Sequence, residues 1–516
     1  MTSERPTPAA TNLADLVRVA ADASPAKPAL LYREQRLTWG ELDTAVDRAA
    51  AGLRGLGLAP GDRVALVMGN IPELVVAYFG TLRAGLVAVP VNTGYTADEL
   101  HHLLADSGAR AVLCGRGLAE TALTAADGTP VDHVVVADVS DPPPGATTFD
   151  GLLASGADRS VEATGGGEDL AVLMYTSGTS GRPRGAMLSH RALLANLDQC
   201  ARIEPPIASA DDVVLVVLPL FHIYGLNSAL GTIARYGATG VLIERFDPAE
   251  TLAEIRRHHV TNIVGAPPMF VAWSLLPELG ESFDSVRLAV SGAAPLPADV
   301  FERILEVTGR PVFEGYGLTE TAPVLTTALM SEIAKPDSIG RPIPGVELRL
   351  VDEDGGLTVE GDPGEIVVRG ANLFSGYWPD GSGGADADGW FATGDVAYAD
   401  GDGDLFLVDR RKELILVSGF NVYPREVEDA LTAHPDITEA AALAIPHPYT
   451  GESVKALVVL RPGARLSAED VMDYAATRLA RFKCPTAVQF VDKLPHSATG
   501  KVAKGRLRES AGQGER

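Results

Sequence analysis

The chemically most promising residues of this chain lie in one short run. Thr176, Ser177, Gly178, Thr179, Ser180, Gly181 and Arg184 belong to TSGTSGRPRG (176–185), which directly follows the apolar run LAVLMY (170–175). Glycines let backbone amides close on an anion, and hydroxyls and a guanidinium add donors, so such a loop supports phosphate binding. The same composition also serves as a solvated connector. The run is not a Walker A loop, because no G-x-x-x-x-G-K-[ST] occurs at 178–186. Ser189 is a natural N-cap, so the expected order is strand, glycine-rich loop, helix.

Further along, FEGYGLTET (313–321) offers an aromatic, Tyr316, between Gly315 and Gly317, with the hydroxyl of Thr319 and the carboxylate of Glu320 close behind. A flat ring can lie on Tyr316, and a carboxylate oxygen is a hard ligand suited to Mg²⁺. Alone, the segment reads equally as a glycine-rich turn with a surface glutamate. DGDGD (400–404) invites a calcium reading, which fails because Leu405 and Arg411 stand where an EF-hand needs glycine and glutamate. It is read as a hairpin turn.

The elements that must position these groups alternate along most of the chain. Helical patterns near 13–23, 40–57 and 72–84, and a helix-then-strand run over 97–115, interleave with strands such as RVALVMG (63–69), AVPVN (88–92), DVVLVVLP (212–219), GVLIE (240–244) and VTNIVGAPP (260–268). That rhythm implies α/β architecture with helix-covered, mainly parallel sheets. From about 339 the texture changes to short runs broken by Gly and Asp, as in antiparallel hairpins or a small β-barrel-like subdomain. After Asp409 helices and strands return, which predicts an N-terminal domain over 1–408 and a smaller α+β C-terminal domain over 409–516.

Bulk properties narrow the partners. With 516 residues one hydrophobic core is too few. A formal charge of −25 argues against nucleic acid and acidic membrane surfaces. Cys114, Cys200 and Cys484 are scattered without metal-ligand spacing, which suggests a reducing compartment. No signal peptide is read at the N-terminus, and the longest apolar runs are far too short to span a bilayer, so a cytoplasmic location is expected. A homodimer is left open.

In its wording the 176–185 run resembles the phosphate loop of the adenylate-forming enzymes: acyl- and aryl-CoA ligases, luciferases and peptide-synthetase adenylation domains. Their usual form is T-S-G-T-T-G-x-P-K-G, so this chain departs at Ser180 and Arg184. Serine keeps the hydroxyl, and arginine keeps the charge on a bulkier, planar group. Other motifs follow in the family's order across nearly the whole chain. FEGYGLTET resembles the adenine and metal motif, which implies nucleotide contacts at Glu314, Gly315, Tyr316, Gly317 and Thr319 and metal ligands at Thr176 and Glu320. SGAAPLP (291–297) resembles the adenine wall, with Gly292, Ala293 and Ala294. GWFATGDVA (389–397) carries Asp395, whose counterpart accepts from both ribose hydroxyls, and Arg410 matches a second ribose contact. Lys412 falls at the interdomain hinge, Gly419 and Asn421 in the SGFN element (418–421) beside the pantetheine arm, and Lys501 in the C-terminal G-K element.

The resemblance implies ATP, Mg²⁺ and coenzyme A, with the C-terminal domain mobile between two half-reactions. Lys501, Glu320, Thr176 and His222 are the implied catalytic residues, His222 within LPLFHIYGLN (218–227) at the carboxylate end of the acyl pocket. A histidine packed at a strand end is the competing reading there. The acyl segments are small and apolar, and no Arg stands where a second carboxylate would need one, so a dicarboxylate is not expected. LILVSGFNVYPREVE (414–428) reads closer to fatty-acyl than to coumarate ligases, which tend to carry Lys near Leu416 and Gln at Asn421. The expected substrate is therefore a small-molecule monocarboxylic, apolar acid, with a fatty acid first. An aryl-CoA ligase, or an acyl-AMP ligase delivering to a carrier protein, is the alternative. A non-catalytic acyl-AMP sensor is the remaining rival class, motivated by Arg184 alone.

Overall fold

The computed structural model describes residues 11–157, 160–176, 183–352, 354–410, 415–417, 420–447, 451–479, 481–496, 502, 504 and 507, without the side chains of 409, 410, 416, 420, 421 and 451. Among them the strands form three sheets. A seven-stranded sheet runs in the order 146–148, 133–137, 109–115, 63–67, 87–90, 170–176, 184–189. All its neighbours pair in parallel except the last two strands, which pair antiparallel. A thirteen-stranded sheet joins parallel strands 28–32, 239–242, 213–216, 262–265, 288–291 and 312–317, edged by antiparallel 35–38, to an antiparallel run through 324–327, 338–342, 405–410, 391–399, 364–370 and 346–351. The antiparallel texture read from about 339 is thus real, and it is hydrogen-bonded into the parallel sheet through 312–317 and 324–327.

Local chemistry accounts for the helices. Thr38 accepts from the amide of Glu41, whose carboxylate accepts from the Thr38 amide, which closes a capping box at the start of helix Trp39–Gly55. Thr96 and Glu99 do the same for Ala97–Ser107, which ends on Gly108 at φ +60°. Helices Asp15–Ala23, Trp39–Gly55 and Pro72–Arg83 share one apolar core with strands of both large sheets, from Leu113 and Val172 on one side to Val216 and Leu242 on the other. Trp39, Tyr78 and Phe79 are fully buried there, each contributing about 1.5–3 kcal/mol by area removed from water. Gly80 lets the two longer helices approach, since a Cβ would sit 2.6 Å from that of Ala49.

The C-terminal part has its own sheet, in the order 420–422, 415–417, 451–460, 437–447, with 487–490 parallel to 451–460. Helices Pro424–Thr432 and Ala468–Ala476 cover it through Val427, Leu431 and Val471, which pack against Ile437, Ala456 and Val458. Across the junction with strand 405–410, Arg425 donates to the carbonyl of Leu407 at 3.4 Å and pairs with Asp337 at 3.6 Å.

Candidate active site

The run at 176–185 does not lead straight into a helix. Strand 170–176 turns back as strand 184–189, with Thr176 opposite Arg184 and Leu170 opposite Ser189. The Thr176 hydroxyl donates to the Arg184 carbonyl at 3.5 Å. Ser189 caps helix His190–Cys200 as expected, accepting from the Ala192 amide at 3.2 Å. At ~3.3 Å per residue, that helix N-terminus lies roughly 20 Å from the turn, so its dipole does not reach an anion held there. The short alternation MLS (187–189) before a helix cap hid this returning strand. Ser177, Gly178, Thr179, Ser180 and Gly181 lie outside the described residues, as do Lys412, Gly419 and Lys501; for Arg410 and Asn421 only the backbone is described.

Strand 312–317 lies beside strand 288–291, with Glu314 opposite Ser291. The segments that follow, Gly292–Ala294 and Gly315–Gly317, therefore sit side by side at the carboxyl ends of two parallel strands, where open α/β sheets form their crevices. Ala293 is held at φ +72°. Tyr316 donates its hydroxyl to Asp395 Oδ2 at 2.7 Å, and Asp395 is buried and opposite Arg410 across strands 391–399 and 405–410. The Tyr316 hydroxyl thus spans from the 288–291/312–317 strand pair to Asp395, although three strands separate 391–399 from 312–317 in the sheet. Gly317 is required by proximity: a Cβ there would lie 1.9 Å from the Pro323 carbonyl oxygen. Thr319 opens the turn 319–321 that carries half-buried Glu320.

Glu314 is buried, and its Oε2 accepts from the Leu296 amide at 2.9 Å while Oε1 has no partner among the described residues. Burial pushes its carboxyl up to about 7 against that hydrogen bond. His222 stacks obliquely on Phe221 with ring centroids 4.8 Å apart, and its Nε2 is buried without a partner among the described residues. Desolvation lowers its imidazole to about 4, so the ring is neutral at neutral pH. The chain after it winds as a wide π-type helix, Tyr224–Gly231, a departure from α geometry that is frequent at functional sites. The Tyr224 ring fills the space a Cβ on Gly292 would take, at 2.9 Å, and the Tyr224 hydroxyl and Ser291 Oγ are both buried without partners among the described residues.

Sequence reasoning missed the segment that ties these pieces together. In ANLFSGYW (371–378), Trp378 N donates to Gly185 O at 2.8 Å, Ser375 N to Met187 O at 2.8 Å and Phe374 N to Glu320 O at 2.9 Å. Asn372 Nδ2 reaches Thr321 O at 2.7 Å. Tyr377 donates its hydroxyl to Glu320 Oε1 at 2.5 Å, and the Arg184 guanidinium lies over its ring, 3.6 Å from the centroid. An aromatic pair directly after glycine was the only available signal. The Asp400–Asp404 turn closes as expected, and the three carboxylates of Asp400, Asp402 and Asp404 meet Lys335 Nζ at 2.6, 2.7 and 2.8 Å, so an ammonium already occupies their centre. Lys483 and Arg425, two of the basic residues near the domain junction, are engaged with Glu426 and Asp337. Among the described residues no helix is long and apolar enough to cross a membrane.

Residues 17–378 match the family model described as AMP-binding enzyme, and residues 426–501 match that of the AMP-binding enzyme C-terminal domain. A long-chain-fatty-acid–CoA ligase of Bacillus subtilis (strain 168) is 34% identical, over 94% of this chain and 92% of its own. A feruloyl-CoA synthase of Amycolatopsis sp is 38% identical, over 95% and 97%. The crystal structure of ATP-bound MatB from Rhodopseudomonas palustris superposes with a TM-score of 0.87 at 34% identity, over 97% of this chain and 99% of that one. The chain therefore belongs to the AMP-binding enzyme family and is a ligase of the AMP-forming acyl-CoA synthetase class.

Proposed function

We propose that this enzyme joins an apolar monocarboxylic acid, a fatty acid first, to coenzyme A through an acyl-adenylate. The observation that carries the nucleotide half is the Tyr316–Asp395 hydrogen bond, which brings an aromatic platform and a buried carboxylate acceptor together. A purine would lie on Tyr316 against Gly292–Ala294, and ribose hydroxyls would donate to Asp395. The spare oxygen of Glu314 suits the purine's exocyclic amine.

In the first half-reaction a carboxylate oxygen of the acid attacks the α-phosphorus of ATP and pyrophosphate leaves. Charge gathers on the phosphoryl oxygens, so fixed donors there lower the barrier. Arg184 and the 176–185 run would bind the phosphates, and Lys501 would approach from the C-terminal part. The donors of Glu320 and Thr176 are hard oxygens, one carboxylate and one hydroxyl, a set that fits Mg²⁺ completed by phosphate oxygens and water. Bound there, Mg²⁺ would neutralise phosphate charge. His222, neutral and with an open Nε2, would orient the acid's carboxylate as a hydrogen-bonding group. In the second half-reaction the thiol of coenzyme A attacks the acyl carbon and AMP leaves. A C-terminal domain over 409–516 would turn about Lys412 against an N-terminal domain over 1–408, exchanging Lys501 for Gly419 and Asn421 over one acyl carbon.

The relatives include ligases named for fatty and for aryl acids. One observation favours an aryl acid as second reading: the unpartnered Tyr224 and Ser291 hydroxyls beside Gly292 suit a ring bearing a polar substituent better than an alkyl chain. A panel of saturated fatty acids of increasing length and of hydroxylated aryl acids, each assayed for CoA-dependent AMP release, separates the two. Highest kcat/KM with fatty acids supports the proposal; a preference for hydroxyaryl acids replaces it with the second reading.

A further inference from the structure

We propose that Tyr377 is a positioning residue that couples the phosphate-binding arginine to the metal-binding carboxylate. The inference rests on the reading of Glu320 and Arg184 given above and extends it to a residue that reading does not use. Tyr377 has two faces to its chemistry. Its hydroxyl, 2.5 Å from Glu320 Oε1, holds one oxygen of that carboxylate with a charge-assisted bond, which would leave Oε2 to a cation. Its ring carries the Arg184 guanidinium at 3.6 Å from the centroid, a stacking that a planar guanidinium makes and an ammonium does not. The departure of this chain from lysine at 184 thereby finds a physical partner: the arginine plane is seated on an aromatic ring whose other end grips Glu320.

The backbone around Tyr377 is built to keep this arrangement rigid. Tyr377 bridges Ala186 on the strand leaving the phosphate loop. Its neighbour Trp378 donates to Gly185 O, and Phe374 donates to Glu320 O. The ring is wedged edge-on against Phe374, with centroids 5.0 Å apart, and Phe374 in turn packs against Phe391 at 5.3 Å. Two loops far apart in sequence are thus referenced to one side chain, so a shift of the phosphate loop moves Arg184 and Glu320 together.

The test measures ATP binding by calorimetry on the full chain, in EDTA and across a magnesium titration, together with the thermal midpoint. Tyr377→Phe keeps the ring and removes the hydroxyl. It is expected to leave ATP affinity in EDTA within about twofold of the parent and to raise roughly tenfold the magnesium concentration at which affinity is half enhanced. A residue that only supports the fold would lower the thermal midpoint without moving that concentration, and this outcome overturns the proposal. Arg184→Lys is expected to weaken ATP binding in EDTA about two- to fivefold, and to have no further effect once Tyr377→Leu is present. Equal effects of Arg184→Lys in both backgrounds overturn the coupling. Glu320→Gln separates the premise from the inference. If it keeps the full magnesium response, Glu320 is not the ligand, and the underlying reading falls together with this one. If it abolishes the response while Tyr377→Phe leaves the magnesium midpoint in place, the inference alone fails.

Discussion

Asp395→Asn tests nucleotide recognition with almost no change of shape. Asp395 is 7% exposed, its amide donates to Thr393 Oγ1 at 3.1 Å, and its backbone stays in register with Arg410, so the variant should fold. An ionised carboxylate offers about four lone-pair sites, and Tyr316 uses one of them at 2.7 Å. In the proposed complex the ribose hydroxyls would also donate to this carboxylate. Asparagine leaves one acceptor oxygen and turns a donor toward the sugar, so one charge-assisted hydrogen bond is lost, worth about 1.5–3 kcal/mol. That corresponds to roughly 10- to 150-fold in the Kd of ATP. Removing the same bond from the ligand side, with 2′- or 3′-deoxy-ATP, should weaken binding to the parent by a comparable factor. The two losses should not add: the variant should bind ATP and the affected deoxynucleotide within about threefold of each other. Calorimetry on the full chain gives these constants directly. A variant that still binds ATP like the parent, or that still discriminates against both deoxynucleotides as strongly, refutes the assignment of ribose to Asp395.

Glu314→Gln should change how stability depends on pH. With its folded carboxyl raised to about 7 against 4.5 unfolded, the folded state keeps a proton that the unfolded chain has lost. The contribution is therefore full below pH 4.5 and disappears as pH rises through 7, a swing on the order of 3 kcal/mol. Relative to the parent, the variant's thermal midpoint should be higher at pH 8 than at pH 5, and a constant difference contradicts the burial argument. His222→Gln should lower turnover by up to ~10²-fold through a misplaced carboxylate. Because its imidazole is held near 4, the shape of the kcat/KM profile above pH 5 should not change; loss of an inflection near 6.5 in the variant would show that His222 titrates. Gly317→Ala should lower the thermal midpoint and weaken ATP binding, since its Cβ would lie 1.9 Å from a backbone oxygen and overpacking of this kind costs about 1–3 kcal/mol; a fully stable, ATP-binding variant contradicts the close approach.

The legible parts of the molecule were those where a local rule and the tertiary context agree. Capping residues such as Thr96 and Ser189 mark their helices, and the alternation of apolar runs with helical spacing gives the parallel sheets. Motif order singles out Tyr316, Asp395 and Glu320 as expected site residues, because their residue types stand close in sequence to glycine turns, and the structure sets Tyr316 on Asp395. What stayed hidden depends on long-range register. Strand 184–189 is half covered by 371–378, a pairing between segments nearly two hundred residues apart that no local pattern announces. Tyr377 looks like any aromatic after glycine until its hydroxyl is seen on Glu320. The π-type winding after His222 likewise has no composition of its own, and it carries the Tyr224 ring against Gly292.

The fate of ATP separates adenylation from every other use of the nucleotide. Purified protein is incubated with ATP labelled at the α-phosphorus, magnesium and a long-chain fatty acid, with and without coenzyme A, and the nucleotide products and thioester are resolved by mass. The account predicts acid-dependent pyrophosphate release with the label on acyl-AMP, and stoichiometric AMP and acyl-CoA once coenzyme A is added. Formation of ADP and phosphate, or AMP release that no acid in the fatty and aryl panel stimulates, would contradict it.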